Sequence, residues 1–79
     1  MLAENIKWAR TSAGFSQGDL ARQVGVSVNT ISGIEVGRIK PGVDTFIRIA
    51  RACGVSLDIL VRNYDAGAGD ANKRPAGQN

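Results

Sequence analysis

The sequence predicts an all-α chain in which five short helices surround one core. Several segments repeat apolar residues at spacings of three and four, as on the buried side of an amphipathic helix. Glycines follow most of these segments, where helices commonly end. No stretch alternates between apolar and polar residues for long enough to predict a sheet. The elements therefore have only one another to pack against.

The first two helices are predicted at residues 2–13 and 17–24. Gly14 supplies a stop for the first helix, and Phe15 follows it as an apolar anchor. Ser16 opens "SQGD", which resembles a capping box with Asp in the place of the usual Glu. The residues expected on the buried sides are Leu2, Ile6 and Ala9 in the first helix and Leu20, Ala21 and Val24 in the second.

The third helix is predicted at residues 28–36, directly after the second. Only residues 25–26 separate the second helix from Ser27, a favourable N-cap. Two helices joined by so short a connection cannot fold back antiparallel, so they should cross steeply, as in a helix-turn-helix. Gly37 ends the third helix. Its expected inward residues are Ile31 and Ile34.

The last two helices are predicted at residues 43–53 and 57–62. Pro41 disfavours helix at the preceding residue, so a loop separates the third helix from the fourth. Gly54 ends the fourth helix, and Ser56 caps the fifth. The residues expected to face the core are Phe46, Ile49, Ala50, Cys53, Leu57, Leu60 and Val61.

Composition limits the possible functions. Seventy-nine residues suffice for one small domain. There is no long apolar run that could span a membrane and no secretory signal at the start. One cysteine and no histidine predict neither disulfides nor a zinc site, and they favour a reducing cytoplasm. No cofactor is expected, and the net charge of +3 weakly favours an anionic partner.

From residue 64 onward the chain becomes rich in Gly, Ala, Asp and Asn. Such a composition cannot bury enough apolar surface to offset its ordering entropy, so residues 64–79 are predicted to be a flexible tail after a domain of residues 1–63. A tail of sixteen residues is too short to enclose a small-molecule ligand, and none is expected.

The outward side of the third helix carries short side chains. The positions pointing away from the core are Asn29, Ser32, Gly33 and Val36, with Val28 on the flank. A helix with such a face can lie deep in a DNA major groove, which is wide enough for one helix. The alternative is an ordinary solvent-exposed face.

The ordered set of motifs resembles a known family. "GFSQGDLARQVGVSVNTISGIEVGRIKPGVDTFIRIARACGVSLDIL" is similar to the helix-turn-helix domain of phage repressors, Cro proteins and bacterial regulators of the xenobiotic-response-element type. The resemblance covers about residues 2–62 and includes "SQxxLA", "GVSxxTIS", "IExGR" and the loop at Pro41. It implies a five-helix lambda-repressor-like bundle, whose third helix enters the major groove of double-stranded DNA. A homodimer on a palindromic operator is the usual arrangement.

The resemblance also implies roles for particular residues. The positions that match base-reading residues are Val28, Asn29, Ser32 and Gly33. The positions that match phosphate contacts are Ser16, Gln17, Thr30, Arg38 and Lys40. Arg10 and Glu35 match a structural ion pair between the first and third helices. Val55, Leu57 and Val61 are expected to contribute to a dimer interface.

Several of these roles have alternatives. Val28 can contact a thymine methyl group or pack on the second helix, and Asn29 can pair with adenine or remain solvated. Ser32, Thr30 and the two cations can likewise be solvated. Gly33 departs from the family, which commonly has a longer polar residue there. Either the backbone approaches DNA closely at this glycine, or the position is under little constraint.

The sequence gives little support to an enzyme. The carboxylates of the first 63 residues are scattered, there is no histidine base, and the cysteine is expected in the core. A sequence-specific transcriptional regulator is the leading hypothesis. A protein-interaction module or antitoxin that binds a partner protein is the alternative. Trp8 stays unassigned, because it either folds over a neighbouring segment or contacts another chain.

Overall fold

The computed structural model describes residues 2–62 and contains five α-helices within them. These are α1 (Leu2–Ser12), α2 (Gln17–Val24), α3 (Val28–Glu35), α4 (Val43–Cys53) and α5 (Leu57–Leu60). The predicted number and order of helices are confirmed. None of the described helices has the length and apolar character needed to cross a membrane. The predicted boundary at residue 63 and the predicted tail lie outside the described residues.

Three helices end one or two residues earlier than predicted. Helix α1 stops at Ser12 because Gly14 adopts a φ of 82° and its amide bonds to the Thr11 carbonyl. Helix α3 stops at Glu35 because Gly37 adopts a φ of 82°, and the amides of Arg38 and Ile39 then both turn back to the Gly33 carbonyl. Helix α5 stops at Leu60, after a single turn.

The core consists of apolar side chains from all five helices. The buried residues are Ile6, Ala9, Leu20, Ala21, Val24, Ile31, Ile34, Ile49, Ala50 and Leu60. The inward residues predicted for α2 and α3 are all among them. Leu2, Phe46 and Cys53 are only partly buried against this core. The prediction that Leu57 and Val61 face inward is wrong: they are 42% and 40% exposed, because a helix of one turn directs only Leu60 into the core.

The caps and the short turn fix α3 relative to α2. Ser16 and Asp19 form the predicted capping box, in which the Ser16 hydroxyl accepts from the Asp19 amide at 3.0 Å. The Ser27 hydroxyl accepts from the Thr30 amide at 3.1 Å and so caps α3. Gly25 has a φ of 82°, which only glycine adopts without strain, and it allows α3 to begin three residues later. The two helices thus form a helix-turn-helix.

The end of α5 is fastened to α1. The side-chain amide of Asn5 donates to the Leu60 carbonyl at 2.8 Å and also to the Arg62 carbonyl. These two bonds satisfy carbonyl groups that a short helix leaves unpaired at its end. They join the first and last helices of the described chain.

Candidate nucleic-acid interface

The outward face of α3 is narrow and polar at its start. Asn29 is exposed and Ser32 is partly exposed, while Val28 is 47% exposed on the flank. Within residues 2–62, neither the Asn29 amide nor the Ser32 hydroxyl has a hydrogen-bond partner. Their donors and acceptors are therefore free for another molecule. No long side chain on α3 prevents a close approach to this face.

Gly33 occupies a different environment from the one predicted. It lies one helical turn after Asn29 on the outward face, yet it is buried. The loop after α3 folds back over it, so that a Cβ atom at this position would lie 2.5 Å from Ile39 Cδ1 and 2.9 Å from Arg38 Nη2. The expectation that Gly33 lies on an exposed face is therefore wrong. The missing side chain makes room for Ile39, which packs against the core.

Two cations follow α3 on the exposed loop. Arg38 and Lys40 lie on the surface, and neither forms an ion pair with another residue of the described chain. The loop backbone is held against α3, since the amides of Arg38 and Ile39 donate to the Gly33 carbonyl at 2.8 and 3.0 Å. The positive charges are thereby kept beside the helix that carries Asn29.

The two hydroxyls predicted to contact phosphate are engaged in helix caps. Thr30 Oγ1 lies 3.0 Å from Ser27 Oγ, at the start of α3. The Ser16 hydroxyl accepts from the amide of Asp19, which leaves its own proton free to donate. Both hydroxyls lie at helix N-termini, where unpaired amides and the helix dipole attract anions.

Gln17 directs its side chain inward. Its Nε2 atom donates to Glu35 Oε1 at 3.1 Å, a contact that the sequence did not predict. The side-chain amide thus supports the carboxylate with one of its two N–H groups, and no described residue accepts from the second. This second N–H group and the backbone amide of Gln17, in the first turn of α2, stay available to an anion.

The predicted ion pair between Arg10 and Glu35 is formed. Arg10 Nε lies 2.6 Å from Glu35 Oε2, and Arg10 Nη2 donates to Oε1 at 3.0 Å. Arg10 also donates through Nη1 to the Phe15 carbonyl at 2.9 Å. The side chains are only 11% and 2% exposed. This bidentate pair fastens α1 to the end of α3 and so fixes the orientation of the outward face.

The surroundings of Glu35 favour its charged form. Burial by itself would raise the pKa of this carboxyl group, but hydrogen bonds from Arg10 and Gln17, together with the charge of Arg10, outweigh the burial. The pKa of Glu35 is therefore held below its usual value. The hydrogen bond with Glu35 likewise raises the pKa of Arg10, despite the opposing effect of burial.

We expect acid to destabilise the domain through this carboxylate. Because the folded-state pKa of Glu35 is lowered, its contribution is complete above the unfolded-state pKa and is lost as the pH falls through the folded-state pKa. Urea unfolding measured from neutral pH into the acid range should show this loss. The variant E35Q should be less stable at neutral pH and should lose less stability on acidification.

The same experiment contains an internal reference. The pKa of Asp19 is also lowered, mainly by a hydrogen bond from the Ser16 amide, and Asp19 titrates in the same direction in both proteins. The difference between the wild-type and E35Q curves consequently isolates Glu35. If the free energy of unfolding fell equally steeply with pH in the two proteins, Glu35 would not contribute to the pH dependence.

Apolar side chains remain exposed on α5 and α1. Leu57 and Val61 are 42% and 40% exposed, whereas Val55 is partly buried against the core. Trp8 is 54% exposed on α1, so no segment among residues 2–62 covers it fully. Of the three residues predicted for a dimer interface, two thus present apolar surface to solvent.

Comparison with known proteins identifies the family. Residues 6–60 match the helix-turn-helix family model. The SPbeta prophage-derived uncharacterized HTH-type transcriptional regulator YonR of Bacillus subtilis is 32% identical over 66 residues, which cover 84% of this chain and 61% of the relative. The chain thus spans about three fifths of that relative's length. An uncharacterized HTH-type transcriptional regulator of Methanocaldococcus jannaschii is 34% identical over 65 residues, 81% of this chain and 98% of the relative.

Solved structures show the same fold. The hypothetical transcription factor NHTF from Neisseria has a TM-score of 0.71 and 33% identity, with 76% of this chain and 67% of that chain covered. The restriction-modification controller protein C.AhdI from Aeromonas hydrophila has a TM-score of 0.71, covering 75% of this chain and 89% of that chain. Its 24% identity shows likeness of fold alone. The motifs, the bundle and the match over most of the chain agree, and the chain belongs to the helix-turn-helix family.

Proposed function

We propose that the protein is a sequence-specific transcriptional regulator that inserts α3 into the major groove of double-stranded DNA. The observation that carries this proposal is the outward face of α3, with the unpaired amide of Asn29 exposed and two unpaired cations directly after the helix. A major groove about 12 Å wide admits such a helix. The names of the two related regulators support a role in transcription.

The proposed base contacts come from the first half of α3. Asn29 can form a bidentate pair with adenine N6 and N7, and Val28 can contact a thymine methyl group. Ser32 can donate to a base or to a phosphate oxygen. Because α3 itself offers only these side chains, direct readout by the helix is sparse, so DNA shape and backbone contacts should supply much of the affinity.

The proposed phosphate contacts surround this face. Lys40 and Arg38 contribute positive charge, and the hydroxyls of Ser16 and Thr30 can donate to phosphate oxygens. Gln17 contributes at the start of α2 through its backbone amide and through the side-chain N–H group that is not bound to Glu35. Such contacts set the position of the protein on the duplex and make binding depend on salt.

We propose that the regulator acts as a homodimer on a palindromic operator. The exposed apolar surface of Leu57 and Val61, with Val55 beside them, supports self-association through the α5 end of the bundle. Two copies related by a two-fold axis would read half-sites about 34–36 Å apart, one turn of the duplex. Sedimentation that shows only monomer at micromolar concentration, with and without bound DNA, would contradict this assembly.

Selection from a random duplex library tests the DNA-binding proposal directly. Wild-type protein should enrich one motif at moderate salt, and N29A should relax the preference at one base pair by ~1–3 kcal/mol. The reason is that only the amide of Asn29 offers adenine a donor and an acceptor together. K40A is the matched control, because it should weaken binding to all sequences alike. It should also reduce the slope of log affinity against log salt concentration by about one.

The selection also decides the alternative function. If no duplex is enriched at moderate salt and a specific protein co-purifies instead, the bundle is an interaction module or antitoxin. We assign the protein no enzymatic activity. Glu35 is bound by Arg10, and burial raises the pKa of the Cys53 thiol, which makes this thiol a weak nucleophile. We place the regulator in the cytoplasm, where a single free cysteine stays reduced.

A further inference from the structure

We infer that Arg38 reads a base edge, with guanine as the preferred base. Its Nη2 atom lies beside Ile39, 2.9 Å from where a Cβ atom at position 33 would be, and so lies against α3. The loop after α3 would then supply from outside the helix a polar group that the helix itself does not carry. This inference rests on the proposed function, and it assigns to Arg38 more than the phosphate contact that the sequence predicts.

The first step is the position of Gly33 on α3. Residues four apart on a helix are neighbours on the same face, so Gly33 follows Asn29 along the outward side. A side chain at position 33 would therefore extend next to Asn29. Arg38 Nη2 lies 2.9 Å from where the Cβ atom of such a side chain would be. The guanidinium thus lies next to Gly33, one helical turn from Asn29.

The second step is that this placement is constrained. The amides of Arg38 and Ile39 are both bound to the Gly33 carbonyl, at 2.8 and 3.0 Å. Ile39 Cδ1 lies 2.5 Å from the same Cβ position and packs inward against the core. Backbone and side-chain contacts therefore hold the loop against α3. The backbone of Arg38 is fixed by them beside Gly33.

The third step is chemical. Arg38 has no carboxylate partner among residues 2–62, so its donors are free. A planar guanidinium can donate two parallel hydrogen bonds to guanine O6 and N7, which is the commonest specific contact between proteins and DNA. Lys40 lies two residues further along the loop and has no comparable placement against Gly33. It should contribute charge without sequence preference, and it serves as the control.

The test compares the motifs selected from a random duplex library by the wild type, R38A and K40A. R38A should lower discrimination for guanine by roughly 5- to 150-fold at one base pair close to the one read by Asn29. K40A should lower the affinity for every sequence by the same factor and leave the selected motif unchanged. If R38A also weakens all sequences alike, Arg38 contacts phosphate only and the inference is overturned.

Two further variants separate the bidentate geometry of the Arg38 guanidinium from its charge and from its position. R38K keeps the charge but not the bidentate geometry, so it should lose the guanine preference while the salt slope stays the same. G33A keeps Arg38 itself, but the added Cβ displaces it together with Ile39, and the same base pair should lose its preference. Circular dichroism and thermal unfolding confirm that each variant is folded. Full retention of the motif by R38K would contradict the inference.

The outcomes distinguish failure of the inference about Arg38 from failure of the proposed function on which it rests. A wild-type protein that enriches no duplex contradicts the proposed function and overturns the inference with it. A wild-type motif that survives R38A and G33A unchanged leaves the proposed function intact and refutes only the role of Arg38. A motif that loses one guanine in R38A, R38K and G33A supports both.

Discussion

Replacement of Arg10 by methionine should lower the free energy of unfolding by ~3–5 kcal/mol. Methionine keeps much of the length and apolar stem of the side chain but removes the charge. The side chain of Glu35, which is 2% exposed, would then be buried with only the amide of Gln17 as a described hydrogen-bond partner. A domain of about 60 residues has a total stability of roughly 3–9 kcal/mol. Urea unfolding followed by the fluorescence of the single tryptophan should therefore show a strongly shifted midpoint.

The chain offers a matched control for this prediction. Arg22 and Asp19 also form an ion pair, but their side chains are 74% and 42% exposed. Solvent screens such a pair, so R22M should change the urea midpoint little. If R22M destabilised the domain as much as R10M, burial would not be the reason for the effect.

The replacement of Ile31 by alanine is the second large effect. We expect I31A to lower the free energy of unfolding about as much as R10M does. Removing the side chain of a fully buried isoleucine costs ~2–5 kcal/mol through lost burial and the cavity left behind. Ile31 is 0% exposed and is one of only two large side chains with which α3 is anchored in the core. Its loss should loosen the helix proposed to enter DNA. Urea unfolding measures the stability, and the affinity for the selected duplex measures the consequence.

The control for Ile31 lies on the same chain segment. Val36 follows α3 and is 69% exposed, so V36A should change the free energy of unfolding by less than ~0.5 kcal/mol. A large loss in V36A would indicate that Val36 is covered in solution, for example by a second copy of the chain. A small loss in I31A would contradict the core position of Ile31.

The helices were predictable because their signals are local. Apolar residues at helical spacing, serine caps and glycine stops act within a few residues, and they placed every helix within one or two residues of its observed ends. The ion pair of Arg10 and Glu35 joins residues 25 apart, and local periodicity carries no information about such a pair. It became predictable only through the resemblance to a family.

The environment of Gly33 was not predictable from periodicity. The helical angle directs position 33 away from the core, and the sequence therefore predicts an exposed residue. The contact with Ile39 comes from a loop that doubles back, and loops have no repeating pattern. Two signals were present nonetheless. A glycine inside a helix costs roughly 0.8–1 kcal/mol relative to alanine, and Ile39 is an isolated apolar residue between two cations.

Side-chain direction limits the prediction in two other places. The sequence places Gln17 at the start of α2 but cannot show whether its amide points to solvent or to Glu35, because both directions are sterically possible. Leu57 has the large apolar side chain of a typical core residue, but a single turn of helix has too few residues to bury two large side chains. In both cases the outcome depends on the arrangement of neighbouring helices.

The two bonds that Asn5 makes to the end of α5 bear on how the chain acquires its structure during synthesis. Asn5 and its acceptors are 55 and 57 positions apart, so α1 leaves the ribosome long before its partner exists. Until then α1 lacks the contacts that hold it, and isolated helices of about 11 residues are marginal in water. The domain should therefore fold as one cooperative unit after α5 has emerged, and a ribosome-bound chain stalled before residue 57 should remain sensitive to protease.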